Sequence, residues 1–117
     1  MSEQKIYEGR RLPTGCVVTV DGRPLDPRYD VRVMADHFEW GYDGNGPRQL
    51  AFALLADHFG RSDKAMGAYR RLTNALIETL DADSWSITGQ QIDQALEAFT
   101  DVPLDLAGLI KRIRGEA

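Results

Sequence analysis

Long apolar runs are missing from this chain: no stretch approaches the roughly 20 residues that a membrane-spanning helix requires. The first residues, Met1-Ser2-Glu3-Gln4-Lys5, lack the apolar middle of a secretion signal. A cytoplasmic protein without membrane association is therefore expected. Cysteine is nearly absent too. Cys16 stands alone, so no internal disulfide can form, which fits a reducing compartment. Beside Val17 and Val18 it reads as a small core residue rather than a nucleophile. Histidine is equally scarce. His37 and His58 show neither H-x-x-x-H nor H-E-x-x-H spacing, so no metal site is expected even though Asp36, Glu39 and Asp57 lie near them in sequence.

An excess of positive charge is also lacking. The formal net charge is −4, which argues against a nucleic-acid-coating protein, since such domains are usually strongly basic. The short clusters Arg10-Arg11, Arg70-Arg71 and Lys111-Arg112-Ile113-Arg114 read as solvated faces or favourable helix C-termini. No serine occupies a nucleophile elbow, and no carboxylate pair is placed to serve as acid and base. No catalytic residue is assigned, and no cofactor is implied.

What the chain does have is an ordinary globular composition, 43% hydrophobic and 27% charged over 117 residues. It is expected to form a single domain, 1–117, that buries roughly two-thirds of its unfolded surface. The first third reads as strands. Lys5-Ile6-Tyr7-Glu8-Gly9 and Cys16-Val17-Val18-Thr19-Val20 are the first two, with a hairpin signal at Asp21-Gly22. Pro24 and Pro27 interrupt the approach to a third, Tyr29-Asp30-Val31-Arg32-Val33. From Pro47 the periodicity turns helical. A first helix, apolar almost all round from Leu50 to Phe59, should be buried and capped by Gly60. A second, capped by Ser62, carries Ala65, Met66, Tyr69, Leu72, Leu76, Ile77 and Leu80 on one face, until Asp81-Ala82-Asp83 breaks it. Trp85 and Ile87 form a short strand or an extended connection. Thr88 and Gln91 then make a capping box for a third helix bearing Ile92, Ala95, Leu96 and Phe99. After Pro103 a fourth bears Leu106, Leu109, Ile110 and Ile113. The fold class expected is α+β, with a small N-terminal antiparallel sheet of two to three strands and about four helices.

The densest local signal is Glu39-Trp40-Gly41-Tyr42-Asp43-Gly44-Asn45-Gly46-Pro47, running directly into the first helix, with Pro47 expected at its first position. A helix start beneath a glycine loop gathers unpaired N–H groups and the positive end of the macrodipole, a setting that suits phosphate or carboxylate. The spacing G-x-x-G-x-G-P is neither the dinucleotide fingerprint nor a phosphate loop of the nucleotide-hydrolase kind. Its neighbours add to it: Trp40 and Tyr42 offer flat rings on which a base can stack, Asn45 offers hydrogen-bonding groups, and Arg48 a guanidinium for phosphate. Gly44 and Gly46 are expected to need positive φ or close backbone approach. Glu39 and Asp43 weigh on the other side, since their charge repels an anion unless it is turned away. The candidate ligand-binding set is Trp40, Gly41, Tyr42, Gly44, Asn45, Gly46 and Arg48. The plainer reading is that the glycines only make a tight connection, and that Trp40 is a core residue.

The run Phe38-Glu39-Trp40-Gly41-Tyr42-Asp43-Gly44-Asn45-Gly46-Pro47-Arg48 into Gln49-Leu50-Ala51-Phe52-Ala53-Leu54-Leu55, with Tyr7-Glu8-Gly9 before it and Trp85-Ser86-Ile87-Thr88 after, resembles a family of uncharacterised small proteins of phages, plasmids and other prokaryotic mobile elements. The resemblance spans roughly residues 5 to 98, marked by a W-G-Y-x-G-x-G-P signature. It implies a genomic setting rather than a mechanism. In that setting the leading expectation is a non-enzymatic accessory protein that binds a nucleotide or other phosphorylated small molecule at the glycine loop, sequestering a host defence signal. The alternatives are an inhibitor or adaptor that binds a host defence protein, or a nucleotide-processing enzyme. Assembly of the chain with itself is left open.

Overall fold

A computed structural model describes residues 5–100, with side chains through residue 97. It shows an α+β fold whose sheet has four antiparallel strands in the order β3-β2-β1-β4, one more than the expected maximum. β1 (Ile6–Leu12) and β2 (Gly15–Val20) form a hairpin around Pro13-Thr14, in register from Tyr7 opposite Val20 to Leu12 opposite Gly15. Asp21 and Gly22 make the next turn at φ 51° and 84°, the positive φ that a two-residue hairpin loop demands. β3 (Arg23–Pro24) is only two residues long because Pro24 has no N–H to continue the ladder. β4 (Ser84–Thr88) returns from the far end of the chain to pair with the other side of β1. The sheet is thus closed by residues nearly eighty positions apart.

Among the described residues three α-helices lie on one face. α1 (Asn45–Phe59) is the central one, buried from Gly46 to Ala56 on nearly every side apart from Arg48. Gly60 ends it at φ 71°, as expected, donating its N–H to the Ala56 carbonyl. Pro47 is its third residue rather than its first, since Gly44 is the N-cap and Asn45 opens the helix. α2 (Ser62–Ala75) has Arg61, not Ser62, as its N-cap, with no side-chain cap bond, and buries Ala65, Ala68, Tyr69 and Leu72 against α1. It is shorter than the apolar pattern suggests: the chain departs from helical φ/ψ at Leu76, and Ile77–Thr79 form a 3-10 turn that carries Ile77 into the core. α3 (Gly89–Thr100) begins with the expected capping box, the Thr88 N–H donating to Gln91 Oε1 (2.9 Å) and the Gln91 N–H to Thr88 Oγ1 (3.2 Å). The packing of Phe99 and the expected fourth helix after Pro103 lie outside the described side chains and residues, respectively.

Tyr7, Val18, Val20 and Ile87 from the sheet join Leu50, Phe52, Leu54 and Leu55 of α1, with Leu72, Ile77 and Ile92, in one hydrophobic cluster. The opposite face of the sheet, carrying Ile6, Glu8, Arg10, Leu12 and Val17, is exposed among the described residues. No described helix is long and apolar enough to cross a membrane. One expected strand is absent. Tyr29–Val33 is an irregular part of residues 25–44, the twenty-residue connection between β3 and α1. Arg28 at φ 61° turns the chain there, with Asp26 accepting its N–H (2.9 Å) in an Asx turn. The Arg28 carbonyl then takes the N–H groups of Val31 and Arg32, so these residues cannot extend into a ladder.

Candidate functional site

The glycine loop is held from below. Gly41 stands at φ 93°, donates its N–H to the Ile77 carbonyl (3.0 Å), and passes so close to Leu80 that a Cβ would lie 3.0 Å from its carbonyl oxygen. Glycine is required at that position on both counts. Gly44 and Gly46 are close approaches instead, without positive φ. A Cβ at Gly44 would sit 2.6 Å from the Tyr42 ring, and one at Gly46 would sit 2.9 Å from Glu39 Cβ. Gly44 is extended at φ −164°, and no side chain caps α1.

Trp40 is not an open ring beside the loop. It is 1% exposed, its indole N–H donates to the Ala82 carbonyl (2.9 Å), and its ring meets Trp85 edge to face at 5.4 Å. The Arg11 guanidinium lies 4.7 Å above it. The ring is therefore committed to the core and to a cation–π contact. Tyr42 and Asn45 are exposed. Arg48 is half-buried and engaged: its Nε donates to Asp43 Oδ1 (3.1 Å), while Asn74 donates to Asp43 Oδ2 (3.2 Å). The carboxylate that weighed against an anion site thus sits on the one cation at the helix start. Glu39 is balanced in the same way by Arg11, which bridges it (3.0 Å) to Asp83 (2.8 Å). Burial pushes the Glu39 carboxyl up, but hydrogen bonds from Arg11 and Cys16 and the Arg11 charge outweigh it and hold the group below the usual range. Burial, followed by the Glu39 charge, raises the Cys16 thiol, the direction opposite to that of an activated nucleophile.

His37 is exposed beside Asp36 (2.8 Å), and His58 joins Asp93 of α3 (2.8 Å), so the two histidines serve different places. Among the described residues no cluster of three or more potential ligands gathers for a metal. Two concavities lie away from the glycine loop. One of about 520 Å³ spreads over the open sheet face, between Glu8, Arg10, Val17, Thr19, Ser84 and Ser86. The other, about 240 Å³, lies between Asp26, Arg28 and Asp57.

The residue that sequence reasoning missed is Gln49. It is fully buried in α1, and all its side-chain groups point into the 25–44 loop. Its Oε1 accepts from the N–H groups of Met34 (2.6 Å) and Ala35 (3.2 Å), while its Nε2 donates to the carbonyls of Pro27 (2.8 Å) and Arg32 (3.1 Å). One amide thereby satisfies four backbone groups of a segment with no regular structure of its own. The available signal was a polar residue at the head of an otherwise apolar buried helix. Pinned in this way, the loop tucks Leu25, Met34, Phe38 and Trp40 inward and holds Tyr29, Val31 and Val33 out in solvent, with Val33 62% exposed.

No curated protein and no solved structure matches the chain significantly. One family model does, over residues 7–98, and it spans the glycine loop, Gln49 and all four strands except their outermost residue Ile6. The chain therefore belongs to this family of unknown function, DUF6166.

Proposed function

We propose that this protein acts by binding rather than by catalysis, and that its recognition surface is the loop of residues 25–44. The observation that carries this reading is the Gln49 clamp. A buried amide with four loop contacts holds twenty irregular residues in one arrangement while Tyr29, Val31 and Val33 stay exposed. Loops of that length inside a compact domain are usually either functional or slack linkers, and the Gln49 clamp speaks against the second. An apolar ridge held rigid in advance loses little entropy on docking. The partner that fits is another protein with an apolar groove. In the genomic setting implied by the resemblance to mobile-element proteins, that partner is a cytoplasmic host protein, such as a component of a defence system. On this reading the glycine loop is architecture: it sets the start of α1 and so aims Gln49.

Tagged full-length protein tests this in host lysate. Wild type should retain one stoichiometric partner, Val33→Asp should lose it without a change in melting temperature, and Arg48→Ala should keep it. Capture that is indifferent to Val33→Asp would remove the loop from the function.

A second reading has one observation in its favour. The α1 N-terminus carries no side-chain cap and no acidic residue in its first turn, which leaves N–H groups for a phosphorylated small molecule if that ligand displaces Asp43 from Arg48. Thermal-shift screening against nucleotides, cyclic ones included, tests it. Ligand at about a hundred times its Kd raises stability by about 2.7 kcal/mol, and Arg48→Ala should abolish that shift. Silence across the screen ends this reading and leaves the first untouched.

A further inference from the structure

The acids of the 25–44 loop all have donors within the molecule. Asp30 holds the Arg28 guanidinium through two bonds (3.0 and 3.1 Å), Asp26 accepts the Arg28 N–H (2.9 Å), and Asp36 faces His37 (2.8 Å). Glu39 and Asp43 are taken by Arg11 and Arg48. Arg32 is the exception among the charged side chains of the loop. It is exposed, and among the described residues nothing pairs with its guanidinium.

Its backbone is in the opposite state. The Arg32 N–H donates to the Arg28 carbonyl (3.2 Å), and its C=O accepts from Gln49 Nε2 (3.1 Å). The free cation therefore departs from a fixed point in the chain. On either side of it stand Val31 and Val33, both exposed, with exposed Tyr29 three positions before.

We infer, on the reading of this loop as the recognition surface, that the protein partner sets a carboxylate against Arg32 inside the apolar surface that receives Val31 and Val33. Docking those valines takes water from the residue between them. A guanidinium stripped of water and left alone is heavily penalised, so a purely apolar groove does not fit and the partner has to supply the counter-charge. Arginine suits that task, because its planar fork pairs with a carboxylate through two parallel bonds, which strengthen as water is excluded. Tyrosine and arginine are also the residues that most often anchor protein interfaces. A polyanion is the poorer match: nucleic acid and anionic membranes are held by several cations together, and this is one cation among apolar side chains on a chain of net charge −4.

Selection from a random-peptide library displayed against the full-length protein tests the inference. Peptides retained by wild type should carry Asp or Glu beside aliphatic or aromatic residues, and should bind Arg32→Glu at least about tenfold more weakly. Arg32→Glu used as the target should instead retain peptides bearing Lys or Arg. Arg32→Gln removes the charge alone and should show the same loss, so it decides if Arg32→Glu disturbs the fold. Peptides that are lost on Val33→Asp but lack an acid, or that keep their affinity for Arg32→Glu, overturn the inference and leave the loop as the recognition surface. A selection that yields no peptide sensitive to Val33→Asp overturns both. Openness of the ridge is measured separately in the full-length chain: the thiol of Val33→Cys should react rapidly with a water-soluble disulfide reagent in the folded protein. A thiol closed to the reagent would mean that the chain outside the described residues covers the ridge, which also overturns the inference.

Discussion

At the scale of single residues, Gln49 and Gly41 carry more than their chemistry suggests. Replacing Gln49 with leucine keeps its volume but removes the partner of four part-buried loop groups, and one buried group left unsatisfied is worth about 1–3 kcal/mol. Gln49→Leu should therefore lose at least about 2 kcal/mol in urea unfolding, with the 27–35 segment becoming open to proteolysis before the rest. The glycines separate by mechanism. Gly41→Ala must adopt a strained φ and should lose about 1 kcal/mol or more, whereas Gly44→Ala has only the exposed Tyr42 ring to displace and should melt close to wild type. Equal melting of all three proteins would contradict this division. The sequence showed that glycines cluster here but could not say which of them needs its missing side chain. That depends on Leu80 arriving from another part of the chain and on how the loop folds Glu39 back against Gly46.

Arg11 makes a prediction about pH at the same scale. The folded Glu39 carboxyl is held below its unfolded value of 4.5, so the stability from its pair with Arg11 is complete above that value and disappears as pH falls through the lower folded one. Glu39→Gln should therefore be less stable than wild type at neutral pH, and the gap should close in acid. Urea titrations at neutral pH and at about pH 3 measure this; a gap of constant size would show that the Arg11–Glu39 pair contributes no pH-dependent stability.

At the scale of elements, the helices were the more legible part. The apolar run from Leu50, the glycine after Phe59 and the Thr88–Gln91 box each act within a few residues, and each appears in the structure where expected. Truncating Leu54 to alanine should accordingly lose about 2–5 kcal/mol, as for any fully buried leucine whose site cannot collapse. Tyr29–Val33 departs from the expected strand for a physical reason. Its alternating β-branched pattern suits a strand, but the backbone groups a strand would pair are taken by the Arg28 carbonyl and by Gln49. Propensity describes a segment alone, and here a side chain seventeen residues away from Arg32 outbid it. The Trp85 strand was the opposite case: five residues with no local partner, made into a strand by β1.

At the scale of the molecule, the sheet and helices form a scaffold that presents one long, irregular, pinned segment to solvent. The candidate site read from the sequence lies at the root of that segment, and its two strongest members, Trp40 and Arg48, are occupied with the core and with Asp43. Their residue types were visible from the start, and so was the charge of Asp43 beside Arg48; the partners of Trp40 were not, because Ala82 and Trp85 meet it only once the fold closes. The functional claim rests on the loop being a preformed surface rather than a slack connection. Native-state hydrogen exchange at the Met34 and Ala35 amides tests that most directly, since both donate to Gln49. The expected result is strong protection in wild type, and its loss in Gln49→Leu while the amides of α1 from Leu50 to Ala56 remain protected. Fast exchange of Met34 and Ala35 in wild type, alongside a protected α1, would contradict a preformed recognition surface.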